Sequence, residues 1–153
     1  MNVVLDTIGF VRGGRAEPTD DDWDREICEI ELDTTRFDAS ALAGLDAFSH
    51  VEVVYQFHLV DEQAVVLGAR RPRGRADWPL VGIFAQRGRV RPNRLGVSVC
   101  ALVKCSGTTV TVRGLDAIDG TPVLDLKPYL TGFAARGEVR EPQWAQEIMS
   151  SYW

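Results

Sequence analysis

Histidine and cysteine are scarce in this chain, with two histidines and three cysteines among 153 residues. His50 and His58 stand too far apart for a histidine metal motif, and Cys28, Cys100 and Cys105 match no zinc or redox spacing. An odd cysteine count without a motif reads as reduced thiols of an intracellular protein, and nothing in the pattern asks for a metal. No apolar run reaches the roughly 20 residues that a membrane span requires. The opening MNVVLDTIGF has neither the basic region nor the cleavage site of a secretory leader. The expected location is therefore the cytoplasm, with no membrane partner. A Gly-x-Gly-x-x-Gly fingerprint after a first strand is also missing, which argues against a doubly wound nucleotide fold.

Lysine is absent from residues 70–96, and this absence makes the region informative because eight of the fifteen arginines crowd into it. They are opposed only by Asp77, so the segment carries a formal +7; the whole chain is −5, which leaves −12 for everything else. Lysine would serve equally well for bulk charge. Arginine's planar fork suits carboxylate, phosphate and aromatic faces. A solvated charged face is one reading; the interleaved glycines and prolines favour shaped loops that hold guanidinium groups at a binding site. An acidic loop of opposite sign, EPTDDDWDRE, occupies residues 17–26.

The pattern elsewhere is mainly β. With 45% hydrophobic residues the chain has enough apolar content for one core, and residues 1–153 read as a single domain. Asp6 to Val11 is a first short strand ending at Gly13-Gly14. Cys28, Ile30 and Leu32 alternate with Glu29 and Glu31, the period-2 pattern of a half-buried strand. Residues 38–47 suit one short helix or turn. Val51, Val53, Tyr55, Phe57 and Leu59 share one strand face, with Glu52, Val54, Gln56 and His58 on the other. LVGIFA, VSVCALVK, TVTVRGL and PVLDLKPYL are four more strand candidates, and CSGTT reads as a hairpin turn. Strands at this spacing with few helical patterns predict a small antiparallel β-barrel with one or two short helices. The tail from 138 to 153 suits a short amphipathic helix carrying Trp144, Ile148 and Trp153, packed either on the barrel or against a partner.

Several stretches in fixed order resemble the TsaA-like (TrmO) family of S-adenosylmethionine-dependent tRNA methyltransferases. They are VGIFAQR, RPNRLGVSV and GLDAIDGTPVLDLKPYL, preceded by LAGLDAFSHVEVVYQFH and the opening TIGFVRG. The resemblance covers about residues 6–130. It implies a β-barrel, S-adenosyl-L-methionine as cofactor, a homodimer, and tRNA as the partner. It further implies methyl transfer to N6 of threonylcarbamoyl-adenosine-37. The alternatives are another small-molecule or RNA acceptor, or a non-enzymatic regulatory module that binds S-adenosylmethionine or RNA.

A sulfonium methyl donor is gripped by its carboxylate, amine, ribose and base, which call for a cation or free N–H groups on one side and carboxylates on the other. On the matched motifs the resemblance implies cofactor contacts from His58 and Leu59, and from Phe84, Ala85, Gln86 and Arg87. It adds Arg91, Asn93, Leu95 and Gly96, then Asp116, Asp119, Gly120 and Thr121. Two of these positions have structural alternatives: His58 as a strand-end hydrogen bonder, and Asp119-Gly120-Thr121 as a plain Asx-type turn. Asp116 and Asp119 are the catalytic candidates for accepting the proton of a barely basic nitrogen, and Asn93 for orienting the acceptor. Arg70, Arg71, Arg73, Arg75 and Arg89 are the candidates for tRNA phosphates. Gln86 and Arg94 depart from the family's FATR and RPNPIG, which leaves the acceptor open. Trp23, in the acidic loop, is expected to be exposed, as a stacking platform or as a loop anchor.

Overall fold

Alternating valine and isoleucine build strands whose apolar faces turn to one shared interior. In the computed structural model, which describes residues 1–153, six of these strands close on themselves. They are β1 (Gly9–Arg12), β2 (Ile27–Leu32), β3 (His50–Gln56), β6 (Leu95–Ser106), β7 (Thr109–Arg113) and β8 (Pro122–Pro128). The closed antiparallel barrel runs in the order β1-β2-β7-β6-β3-β8, so no long strand edge is left unpaired. A separate two-stranded sheet, β4 (Ala69–Arg70) with β5 (Val81–Gly82), stands in the arginine-rich segment. The α-helix is α1 (Gln143–Met149), and 3-10 turns make most other connections.

The barrel interior is where the alternation points. Cys28, Ile30 and Leu32 are buried while Ile27, Glu29 and Glu31 face out. Val51, Val53 and Tyr55 meet Val11, Val110, Val112 and Val123 in the same core. Burying each of these large side chains contributes about 1.5–3 kcal/mol. Gly107, at φ +61, closes the β6–β7 hairpin with Ser106 opposite Thr109, as the CSGTT motif predicts.

Four elements differ from the sequence pattern. The first strand begins at Gly9 rather than Asp6. LVGIFA contributes only Val81–Gly82 as strand, because residues 83–85 wind into a 3-10 turn that buries Ile83. Residues 38–47 form two 3-10 turns, Ala39–Leu42 and Leu45–Ala47, separated by Gly44 at φ +86. The tail helix spans only Gln143–Met149, so Trp153 lies beyond it and is 50% exposed.

The thiols bear on accessibility. Burial pushes the Cys28 thiol up to about 12 and raises that of Cys100 still further, while Cys105 is only half-buried. Only thiolates alkylate readily. In mildly alkaline buffer a haloacetamide is expected to modify Cys105 first, with Cys28 and Cys100 reacting only after denaturation. Intact-mass spectrometry checks this, and equally fast labelling of Cys28 in the native protein would contradict the packed barrel.

Candidate functional site

One pocket gathers the chemistry-bearing side chains. Its wall includes Trp23, Tyr55, Phe57, His58, Asp116 and Thr121, with Pro18, Leu59, Val60, Ala117 and Ile118 completing it. Strand β3 ends at Gln56, short of the Leu59 that its alternation suggests, and delivers Tyr55, while Phe57 and His58 follow in the turn just beyond it. Its register against β8 shifts between Val54 and Tyr55, the kind of irregularity that re-aims a side chain. Tyr55 then lies directly over Gly96, its partner on β6, where a Cβ would come within 2.5 Å of the ring carbons. Phe57 packs edge-on against the Tyr55 ring at 5.4 Å between centroids.

Asp116 is the polar centre of the pocket. Its Oδ1 accepts the Tyr55 hydroxyl at 2.9 Å and the Ser98 hydroxyl, and its Oδ2 accepts the Tyr152 hydroxyl. Three hydroxyl donors from β3, β6 and the C-terminal segment therefore converge on one half-buried carboxylate. Burial, then the Asp116 charge, hold the Tyr55 hydroxyl well above the usual phenol range, so it remains a donor. His58 lies beside Gly120, its Nε2 3.8 Å from where a Cβ would stand. Its burial lowers the imidazole pKa, which leaves the ring neutral near pH 7. Aromatic faces beside a carboxylate and a neutral imidazole suit a small heterocyclic ligand with polar or cationic groups.

Of the residues singled out from sequence, His58, Leu59, Asp116 and Thr121 line this pocket, Gly120 adjoins His58, and Gly96 underlies Tyr55. The others lie elsewhere. Phe84 is 77% exposed, and Ala85, Arg87 and Asn93 are exposed too. Arg87 donates to the Val97 carbonyl at 2.8 Å. Leu95 is half-buried at the start of β6. Asp119 is exposed; it accepts the Gly13 N–H at 2.8 Å, and its own N–H donates to the Arg15 carbonyl. That is turn chemistry.

The two departures from the family pattern are used inside the loops. The buried Gln86 amide donates to the carbonyls of Arg70 at 2.8 Å and Val81 at 3.0 Å, pinning β4 to β5. Arg91 in turn donates to the Gln86 carbonyl at 2.8 Å. Arg94 donates to the Val60 carbonyl at 2.6 Å and pairs with Glu62. Asn93 and Arg94 both sit in the left-handed region, at φ 64 and 53. Strain of this kind persists only where surrounding contacts over-determine it, here the Arg94 clamp on the segment after His58.

The acidic loop docks on the arginine segment. Arg73 holds Asp21 through two bonds of 2.8 and 3.2 Å, and Arg89 donates to the Pro18 carbonyl at 3.2 Å. The Arg73 bonds lower the Asp21 pKa. Arg75 pairs with Asp77 and stacks 3.9 Å over Trp78, whereas Arg71 donates to the carbonyls of Ala76 and Trp78. Arg70 makes neither a side-chain hydrogen bond nor an ion pair. Arg70, Arg71, Arg87, Arg89 and Arg91 thus keep charges free of any carboxylate.

Trp23 corrects one expectation: it is only 5% exposed, with Arg15 lying 3.9 Å over its ring. Arg15 also bonds Glu26, Thr19 and the Asp21 and Asp22 carbonyls, which ties the acidic loop around the indole. The loop-anchor role is thereby filled, while part of Trp23 still walls the pocket. Sequence reasoning missed Ser98 and Tyr152 as site residues. Ser98 carried a signal, a hydroxyl on the inward face of a valine-rich strand. Tyr152 carried none. No group of three or more potential ligands is placed to hold a metal ion, and no helix is long and apolar enough to cross a membrane.

A family model described as the tRNA-methyltransferase O N-terminal domain matches residues 15–135. A probable S-adenosyl-L-methionine-binding protein of Methanothermobacter thermautotrophicus is 35% identical over 136 residues, 84% of this chain and 91% of that protein. The tRNA (adenine(37)-N6)-methyltransferase of Escherichia coli K12 is 40% identical over 108 residues, 67% of this chain and 45% of the relative. A crystal structure of TrmO superposes with a TM-score of 0.75 at 31% identity, covering 92% of this chain and 64% of that one. Apart from the Methanothermobacter protein, the chain spans about half the length, or less, of such curated relatives.

Proposed function

The chain belongs to the tRNA-methyltransferase O N-terminal domain family, and from that premise we propose that it is an S-adenosylmethionine-dependent tRNA methyltransferase. The observation that carries the reading is the meeting of motifs remote in sequence. The Tyr55–His58 segment, Gly96 of RPNRLG and the Asp116–Thr121 turn come together at one pocket. The cofactor supplies an electrophilic methyl group on a positively charged sulfur. Trp23 and Phe57 offer apolar faces for its base, Asp116 is the anion for its cationic portion, and neutral His58 is a hydrogen-bond partner. No cation lines the pocket itself, and Arg87, exposed outside it and free of any carboxylate, is the one we assign to the cofactor's carboxylate. Holding donor and acceptor in line is the main task, since positioning alone supplies much of the acceleration in such displacements.

The acceptor we assign is N6 of threonylcarbamoyl-adenosine-37, with phosphate contacts from Arg70, Arg71 and Arg89. The proton of that nitrogen passes to an acceptor during or after attack, and Asp116 is the one carboxylate that lines the pocket. The same reading carries a cytoplasmic location, a single domain and a homodimer. A second reading has one observation behind it: the relative matched over 91% of its length is named for cofactor binding alone. On that reading the chain is a binding module, or methylates a different acceptor.

Calorimetry with S-adenosylmethionine, followed by mass spectrometry of tRNA nucleosides after incubation with a deuterated donor, tests the proposal. Binding plus a labelled N6-methyl threonylcarbamoyl-adenosine is the expected result. Binding without any labelled nucleoside would transfer the case to the second reading, and no binding would end both. Arg87→Ala is expected to weaken the cofactor more than about tenfold, roughly 1.4 kcal/mol. Unchanged affinity would remove Arg87 from the site.

A further inference from the structure

The segment after the family match reaches the pocket's carboxylate. The match ends at residue 135, yet three separate contacts hold residues 143–153 against the arginine segment and the acidic loop. Glu147 on α1 accepts the Trp78 indole N–H at 2.7 Å. The Ser151 and Tyr152 carbonyls accept the backbone N–H groups of Asp22 and Trp23, both at 2.9 Å. Between these staples the Tyr152 ring turns inward, and its hydroxyl meets Asp116 Oδ2. Trp153 packs edge-on against that ring at 4.9 Å, which fixes its position.

We infer that Tyr152 is a positioning residue of the site: its hydroxyl sets the orientation of the Asp116 carboxylate in the pocket, and the 143–153 segment is thereby a structural part of cofactor binding. Two of the three donors on Asp116, Tyr55 and Ser98, share Oδ1, so Tyr152 alone anchors Oδ2. Without it the carboxylate can rotate about its Cβ–Cγ bond. Burial and the Asp116 charge raise the Tyr152 hydroxyl far above the usual phenol range, so it stays protonated and donating. A hydroxyl needed only for tail packing could bond backbone or water. This one goes to a carboxylate that lines the pocket.

The inference rests on the proposed cofactor reading, and its test separates the two. Tyr152→Phe keeps the ring and removes only the donor. It is expected to weaken S-adenosylmethionine binding about tenfold by calorimetry, the usual scale for losing a hydrogen bond to a charged group. In an Asp116→Ala background the same Tyr152→Phe change is expected to alter affinity by less than about twofold, because the group it acts through is gone. Each variant's fold is checked by near-ultraviolet circular dichroism, and Tyr152→Leu, which keeps apolar bulk and carries no donor, serves as the alternative should Tyr152→Phe prove unstable. Equal effects in both backgrounds, or unchanged affinity in Tyr152→Phe, would overturn the positioning role while cofactor binding by the native chain stands. Failure of the native chain to bind S-adenosylmethionine would overturn the cofactor reading and the inference with it.

Discussion

Gly96→Ala is expected to lower the melting temperature by about 3–10 °C, corresponding to roughly 1–3 kcal/mol of overpacking, and to impair cofactor binding more than that loss of stability suggests. A Cβ at residue 96 would lie 2.5 Å from Cε2 and Cζ of Tyr55 and 2.9 Å from its hydroxyl oxygen. The ring cannot step aside cheaply. It is 1% exposed, and its hydroxyl is bound to Asp116. Any movement that relieves the clash therefore pulls a donor off the carboxylate at the centre of the pocket. Gly88→Ala is the matched control, since nothing lies within 4 Å of a Cβ there. Thermal unfolding followed by circular dichroism, with parallel calorimetry, decides the matter; Gly96→Ala melting with Gly88→Ala would mean that the Tyr55 stack does not exist as described.

The barrel was legible because its strands obey a local rule. Glu29 and Glu31 alternate with three residues that end up inside, and the valines of β3 and β7 do the same. The family motifs made the pocket's location legible too, since three of them meet there. Local rules fail where a side chain's partner is distant. LVGIFA has the composition of a strand, yet burying Ile83 and pinning the chain through Gln86 turns residues 83–85 into a 3-10 turn. Trp23 sits in a run of aspartates and looks exposed on composition, but Arg15 and the tail backbone enclose it. Tyr152 lies 36 residues from Asp116, and no period or motif in the tail announces the contact.

Charge was the least legible property. A formal +7 in residues 70–96 suggested shaped loops that hold guanidinium groups at a binding site, with no sign of which charges would be matched internally. Folding divides it. Arg73, Arg75 and Arg94 are matched with Asp21, Asp77 and Glu62, while the remaining five keep their charge. Net charge thus overstates what a polyanion meets. The acidic loop is the larger influence, because it occupies Arg73 directly and places Asp20 within 3.9 Å of the same guanidinium.

These placements predict opposite effects on tRNA affinity from two pairs of substitutions. Arg70→Gln with Arg89→Gln removes two carboxylate-free cations and is expected to weaken tRNA binding about tenfold or more at low salt. The dependence of log affinity on log salt should flatten by about 2, one unit for each lost phosphate contact. Asp20→Asn with Asp21→Asn should do the reverse. It releases Arg73 and removes two negative charges from the loop beside it, so affinity rises and the slope steepens by about 1. Asparagine is the right replacement because Asp21 holds φ 71, a left-handed conformation that asparagine tolerates. The fold should survive the arginine pair, since Arg89 contributes only one exposed bond to a carbonyl and Arg70 contributes none. In the aspartate pair the Arg15 bonds to Glu26, Thr19 and the loop carbonyls still hold the acidic loop. Filter binding over a salt series measures the slopes, and calorimetry confirms that cofactor affinity is unmoved. If both pairs leave tRNA binding unchanged, the arginine segment is not the tRNA face, and an acceptor small enough to enter without phosphate contacts becomes the better assignment.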